Sequence, residues 1–195
     1  MDYSIISDVS ETLKQVLHDG LSVLPGAPLV SVHNLRSKPA PPAVTLFLYE
    51  MLEDPSTRNR PRVRKPTGGR FEVRKPDLTL LLRYLVTPWI DDLSFPYTDQ
   101  IILGRLSQVL YEKAILQVPD LHGSRLPLSA ESLKITMAPI SLEDRTRIWN
   151  CLQLPYRLSL TYEVRVANIT PEHFREVSAV GQAQFGFGDL AGEPP

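Results

Sequence analysis

AVTLFLYEMLEDPSTRNRPRVRKPTGGRFEVRKPDLTLLLRYLVT, residues 43–87, decides how this chain folds. Its first part, AVTLFLYEML (43–52), is β-rich and apolar on both faces, which predicts a buried strand. Its last part, DLTLLLRYLVT (77–87), sets Leu78, Leu80, Leu82, Tyr84 and Val86 on one face, with Leu81 and Leu85 on the other. Two successive strands of this kind predict an extended hairpin. The 24 residues between them far exceed an ordinary hairpin loop, and long loops in compact domains are functional or disordered. Within this insert, residues 58–75 carry Arg58, Arg60, Arg62, Arg64, Lys65, Arg70, Arg74 and Lys75 against a single acid, Glu72. PTGG (66–69) reads as the tip of a secondary hairpin, with Gly68 and Gly69 supplying positive φ.

The net charge of -1 hides an asymmetry. Outside residues 58–75 the chain holds 13 Lys/Arg and 21 Asp/Glu, so an acidic body carries one basic loop. Such a molecule can dock on copies of itself or on an acidic partner. With 195 residues, 43% of them hydrophobic, the chain can bury one core, and 1–168 is read as one domain followed by an arm, 169–195. No run approaches the length of a membrane helix. MDYSIISDVSETLK has neither a basic nor an apolar leader region, so no secretory signal is expected. A single cysteine, Cys151, forms no internal disulfide, consistent with synthesis in a reducing cytoplasm. The 18 prolines are spaced along the chain and mark element boundaries.

Around the hairpin the other elements follow from periodicity. Residues 4–18 place Ile5, Ile6, Val9, Leu13, Val16 and Leu17 on one helical stripe, capped by Ser4 or Asp2 and ended by Gly20. LVSVHNL (29–35) reads as a short strand inside a proline-rich connection. A second helix runs from Thr98 to Lys113, buried along Ile102, Leu106, Val109 and Leu110. Gly104 within it suggests a close packing contact. ESLKITMAP (131–139) is a strand with Leu133, Ile135 and Met137 inward. SLEDRTRIWNCLQL (141–154) opens with Ser141 and, three residues on, Asp144, a capping-box variant, and is anchored by Ile148 and Trp149. YRLSLTYEVRV (156–166) alternates strictly, with Tyr156, Leu158, Leu160, Tyr162, Val164 and Val166 inward and one wet or partner-facing side. The order α-β-β-α-β-α-β predicts an α+β domain, one mostly antiparallel or mixed sheet with helices on one face.

Chemistry is not visible. His18, His33, His122 and His173 are scattered, with no CxxC and no pair at metal-ligand spacing, so neither metal nor cofactor is expected. GxSxG, the P-loop and GxGxxG are absent, and Cys151 beside Leu152 reads as a buried inert thiol. For the basic loop three readings stand: a solvated insert, a nucleic-acid contact, or a dock for an acidic protein surface. Nucleic acid is disfavoured because Phe71 is the loop's one aromatic residue and the chain is not basic overall. The alternative of a nucleic-acid-associated accessory protein using residues 58–75 stays open.

Several phrases in one order carry a resemblance: IISDVSETLKQVL, VTLFLYEMLEDPSTRNR, DLTLLLRYLVTPW, DQIILGRLSQVLYEKAIL and RIWNCLQLPYRLSLTYEVRV. Over about residues 3–168 the chain resembles the tail-terminator, or cap, proteins of phage-tail-like contractile injection systems. The resemblance implies an α+β subunit without bond chemistry that forms a homo-hexameric ring. The ring would sit on the baseplate-distal end of the inner tube, end tube and sheath polymerisation and anchor the last sheath layer. Tube and sheath proteins are then the implied partners, and the phage-tail-like particle is the implied destination. The family often has a histidine before the LG of its second helix, where this chain has Asp99 and Gln100 in YTDQIILG. Two expectations about contacts follow. Arg58 to Lys75 forms an arm reaching a neighbouring subunit or the last tube ring, and residues 169–187 dock Phe174, Phe185 and Phe187 on the sheath.

Overall fold

A computed structural model describes residues 4–68, 70–91, 98–129, 132–169 and 173–178. The long hairpin forms where its pattern predicts. Strands β2 (Ala43–Glu53) and β5 (Leu78–Trp89) pair antiparallel from Ala43 opposite Trp89 to Glu53 opposite Leu80, with one register shift between Leu48 and Glu50. Around them stand α1 (Ile5–Leu21), β1 (Leu29–Val32), β3 (Val63–Thr67), β4 (Arg70–Arg74), α2 (Thr98–Glu112), β6 (Ile115–Leu116), β7 (Leu133–Met137), α3 (Leu142–Cys151), β8 (Leu160–Ile169) and β9 (Phe174–Ser178). The main sheet runs β1-β2-β5-β8-β7-β6, and β3-β4-β9 make a second, separate sheet. In the main sheet β1 is parallel to β2 and every other pairing is antiparallel, so the fold is mixed α+β as expected.

The alternation of β5 divides the core in two. Leu80, Leu82, Tyr84 and Val86 join Val164 and Val166 of β8 beneath α1 and α2. Each large apolar side chain fully buried there contributes about 1.5–3 kcal/mol. Tyr84 has no exposed surface, its hydroxyl shares a 2.8 Å hydrogen bond with Ser10, and burial pushes its pKa up to about 12. On the opposite face Leu85 and Trp89 meet Leu35, Ala43 and Trp149. The third helix therefore lies across the sheet from the other two, held by Trp149 edge-on to Trp89 with ring centroids 6.0 Å apart. Arg157 stacks over the Trp89 ring at 4.7 Å and pairs with Asp91, which Lys38 also reaches at 2.8 Å. These contacts tie the proline-rich connection to the end of β5.

Buried polar groups on α1 hold the loop that follows β6. The Asp8 carboxylate accepts the backbone N–H groups of Arg125 at 2.8 Å and Leu126 at 3.0 Å. Thr12 exchanges hydrogen bonds with the backbone N–H and carbonyl of His122. Gly123, at φ 108°, passes where a Cβ would overlap the Asp8 carboxyl.

Several local expectations change. The close helix contact is at Gly20, where an added Cβ would stand 2.5 Å from a Val109 methyl carbon, and not at exposed Gly104, which has open space beside it. Gly20 also does not end α1, which continues to Leu21. Met137 is half exposed because β6 covers only Leu133 and Lys134, leaving the end of β7 as a free edge. Tyr156 and Leu158 are exposed as well, since the β5–β8 ladder begins at Leu160, past Pro155 and the positive φ of Gln153. Cys151 is exposed, not buried, because it closes α3 away from the anchoring Trp149. Ser141 does cap α3, its hydroxyl oxygen accepting the Asp144 N–H at 3.0 Å while the hydroxyl donates to the Asp144 carboxylate at 2.7 Å.

Candidate functional site

The cationic insert folds. After the turn at 55–59, β3 and β4 make the secondary hairpin predicted at PTGG, with Thr67 opposite Arg70 and Gly68 at φ 54°. Gly69 lies outside the described residues. Positive φ at the tip costs glycine nothing and any branched residue a good deal. What the sequence reading missed is the third strand. The chain leaves β8, returns as β9 and pairs antiparallel with β4 from Arg74 opposite Phe174 to Arg70 opposite Ser178. The basic loop and the first part of the expected C-terminal arm are thus one sheet.

Arg58, Arg60, Arg62, Arg64, Lys65, Arg70 and Lys75 are all exposed, and Arg74 is partly covered. Two acids answer them: Arg70 meets Glu176 of β9 at 3.1 Å and Arg58 meets Glu53 at 3.7 Å. Among the described residues no ion pair reaches Arg60, Arg62, Arg64, Lys65, Arg74 or Lys75. Arg58, Arg60, Arg62 and Lys75 line one cleft at the base of the arm together with Glu53 and Asp77. Phe174 is exposed on β9, whereas Phe185 and Phe187 lie outside the described residues.

The root of the arm is built by a residue that sequence reasoning passed over. Asp54 is 2% exposed. Its Oδ1 accepts the Ser56 N–H at 3.0 Å and the Ser56 hydroxyl at 2.7 Å, closing an Asx turn over EDPST. Its carbonyl takes the Thr57 hydroxyl and N–H, and its own N–H donates to Thr79 of β5. Oδ2 stands 2.7 Å from the Arg165 guanidinium of β8. The Ser56 hydroxyl, with Arg165 and Arg60 nearby, holds the Asp54 carboxyl below the usual carboxylate range. The signal was present in the sequence as Asp-Pro-Ser-Thr, a turn signature overshadowed by the arginines after it. One step along the sheet, Arg83 bonds Glu163 at 2.9 Å and Glu50 at 2.7 Å, and these carboxylates hold its pKa above the ordinary value. The expected wet face of β8 is therefore divided: Glu163 and Arg165 form ion pairs with Arg83 and Asp54, while Ser159 and Thr161 are buried.

Among the described residues no group of three His, Cys, Asp or Glu side chains could hold a metal ion. No described helix is long and apolar enough to cross a membrane.

Fold and site together define an α+β domain with a projecting cationic sheet. The chain belongs to the family of the Pvc16 N-terminal domain, whose model matches residues 8–181. Among solved structures it is similar to the sheath/tube terminator of PVC, an extracellular contractile injection system, in the extended state, at 20% identity and a TM-score of 0.64. That match covers 95% of this chain and 65% of the other. It is also similar to the tube terminating cap of the anti-feeding prophage, at 17% identity and a TM-score of 0.59, over 96% of this chain and 62% of the other. At such identities the likeness is one of fold, and the chain spans under two thirds of either relative's length. No curated protein matches it.

Proposed function

We propose that the chain is a structural terminator of a contractile injection system, capping the inner tube and doing no bond chemistry. One observation carries this: the likeness to a sheath/tube terminator runs over 95% of the chain, within a family matched from residue 8 to residue 181. In this reading the subunits form a homo-hexameric ring on the baseplate-distal end of the tube, and the ring ends polymerisation and holds the last sheath layer. The chain is made in the bacterial cytoplasm and assembled into a phage-tail-like particle. A ring that binds tube subunits on one side and offers no equivalent surface on the other stops a polymer that could otherwise grow.

The basic sheet supplies the grip. Each exposed ion pair contributes about 0.2–1 kcal/mol, too little alone, but several subunits engaging at once multiply the effect through avidity. Nucleic acid fits less well. A stacking platform needs aromatic rings on one face, whereas Phe71 pairs with Val177 and Phe174 with Arg74, which puts the two rings on opposite faces of the sheet.

The test is to replace Arg60, Arg62, Arg64 and Lys65 with serine and measure rings and tube lengths. Loss of rings or overlong tubes is expected. Intact rings with normal tube length would make the arm dispensable.

A further inference from the structure

The registers of the small sheet sort its side chains by face, because residues directly opposite one another in antiparallel strands point the same way. One face holds the rows Val63–Arg74–Phe174, Lys65–Glu72–Glu176 and Thr67–Arg70–Ser178. The other holds Arg64–Val73–Arg175 and Pro66–Phe71–Val177. Both acids of the sheet stand on the first face, where Glu176 also pairs with Arg70. The second face has no acid. It presents an apolar strip, with Phe71 37% and Val177 42% exposed, beside two arginines to which no described ion pair runs.

We infer that this second face is the docking surface and that its occupant is the acidic body of a second copy of this chain. The first face sets Glu72 and Glu176 among Lys65, Arg70 and Arg74, so although Val63 and Phe174 are exposed on it, an acidic partner would meet two carboxylates there. The second pairs apolar area with uncompensated positive charge, the composition of an interface core rimmed by cations. Charge complementarity within the chain argues for a second copy. Residues 58–75 and β9 together hold nine Lys/Arg and two Asp/Glu, and the rest of the chain holds 12 and 20. Within one chain the sheet stands exposed, so its charge is left to meet another molecule. Unlike patches on arm and body give a head-to-tail contact, which closes into a ring when the rotation permits. This inference rests on the terminator reading only for the setting in which copies meet.

The experiment places a photoreactive benzoylphenylalanine at position 71 and, separately, at position 65, on the acid-bearing face. Both positions are exposed, so the fold is not at stake. Assembled particles are irradiated and the adducts identified by mass spectrometry. A copy-to-copy adduct from position 71, lost when the probe sits at position 65, is the expected result. Adducts from position 71 to tube or sheath subunits alone, equal copy-to-copy yields from both positions, or no adduct from position 71 would overturn it. If the unsubstituted chain is missing from tube ends, the terminator reading fails separately. The same irradiation of the free chain in solution, read by the same criteria, then still decides the docking face.

Discussion

Asp54 organises the root of the arm, and its contacts make a pH prediction. Its folded-state pKa is depressed, so its stabilisation is present above the ordinary carboxylate range and is lost as pH falls through the folded value. Amide protection factors over residues 55–60 should therefore drop in acid. In Asp54→Ala they should be low already at neutral pH and insensitive to acid, as hydrogen exchange would report. Unchanged protection in the variant would remove Asp54 from its role. Gly20 makes the second test at this scale. A Cβ there would meet Val109 at 2.5 Å, so Gly20→Ala should cost about 1–3 kcal/mol by overpacking, despite alanine's better helix propensity. Val109→Ala in the same chain should recover part of it in thermal unfolding. Neither residue was legible beforehand. Gly20 looked like a helix stop and Gly104 like a contact, because spacing along a helix does not say which turn a neighbouring helix crosses.

Among the elements, the long hairpin, α1, α2 and the Ser141 cap could be read from the sequence because each is set by local periodicity or turn chemistry. The third strand of the small sheet could not. FREVS (174–178) has no hydrophobic run, and its place is fixed by ladder bonds to β4, about a hundred residues earlier. The same holds for the end of β7, whose exposed Met137 depends on how short β6 is. The pairing alters what a truncation would do. If residues after 169 only docked on the sheath, ending the chain after Ile169 would leave the ring intact and loosen only the sheath end. With β9 gone, β4 becomes an open edge and Arg70 loses Glu176, so exchange over residues 70–74 should speed up and ring formation should weaken too. A truncated chain with unchanged exchange over 70–74 and normal rings would show that β9 adds nothing to the arm.

For the molecule as a whole, the α+β class and the basic arm were readable from composition and strand pattern. The separation of the helices onto two faces was not. Trp149 and Trp89 are each apolar anchors in sequence, but only the sheet brings them within 6.0 Å of each other. The candidate site was half legible: its cations are plain in RNRPRVRK, while the face that carries no acid depends on the register with β9. The central claim is that this chain ends a tube. Its most direct test is to polymerise purified tube protein with and without the chain and to measure tube lengths by electron microscopy. The account predicts shorter tubes with added density at one end, and weaker capping as salt rises and screens the arm. Tubes of the same length with no density at either end would contradict it.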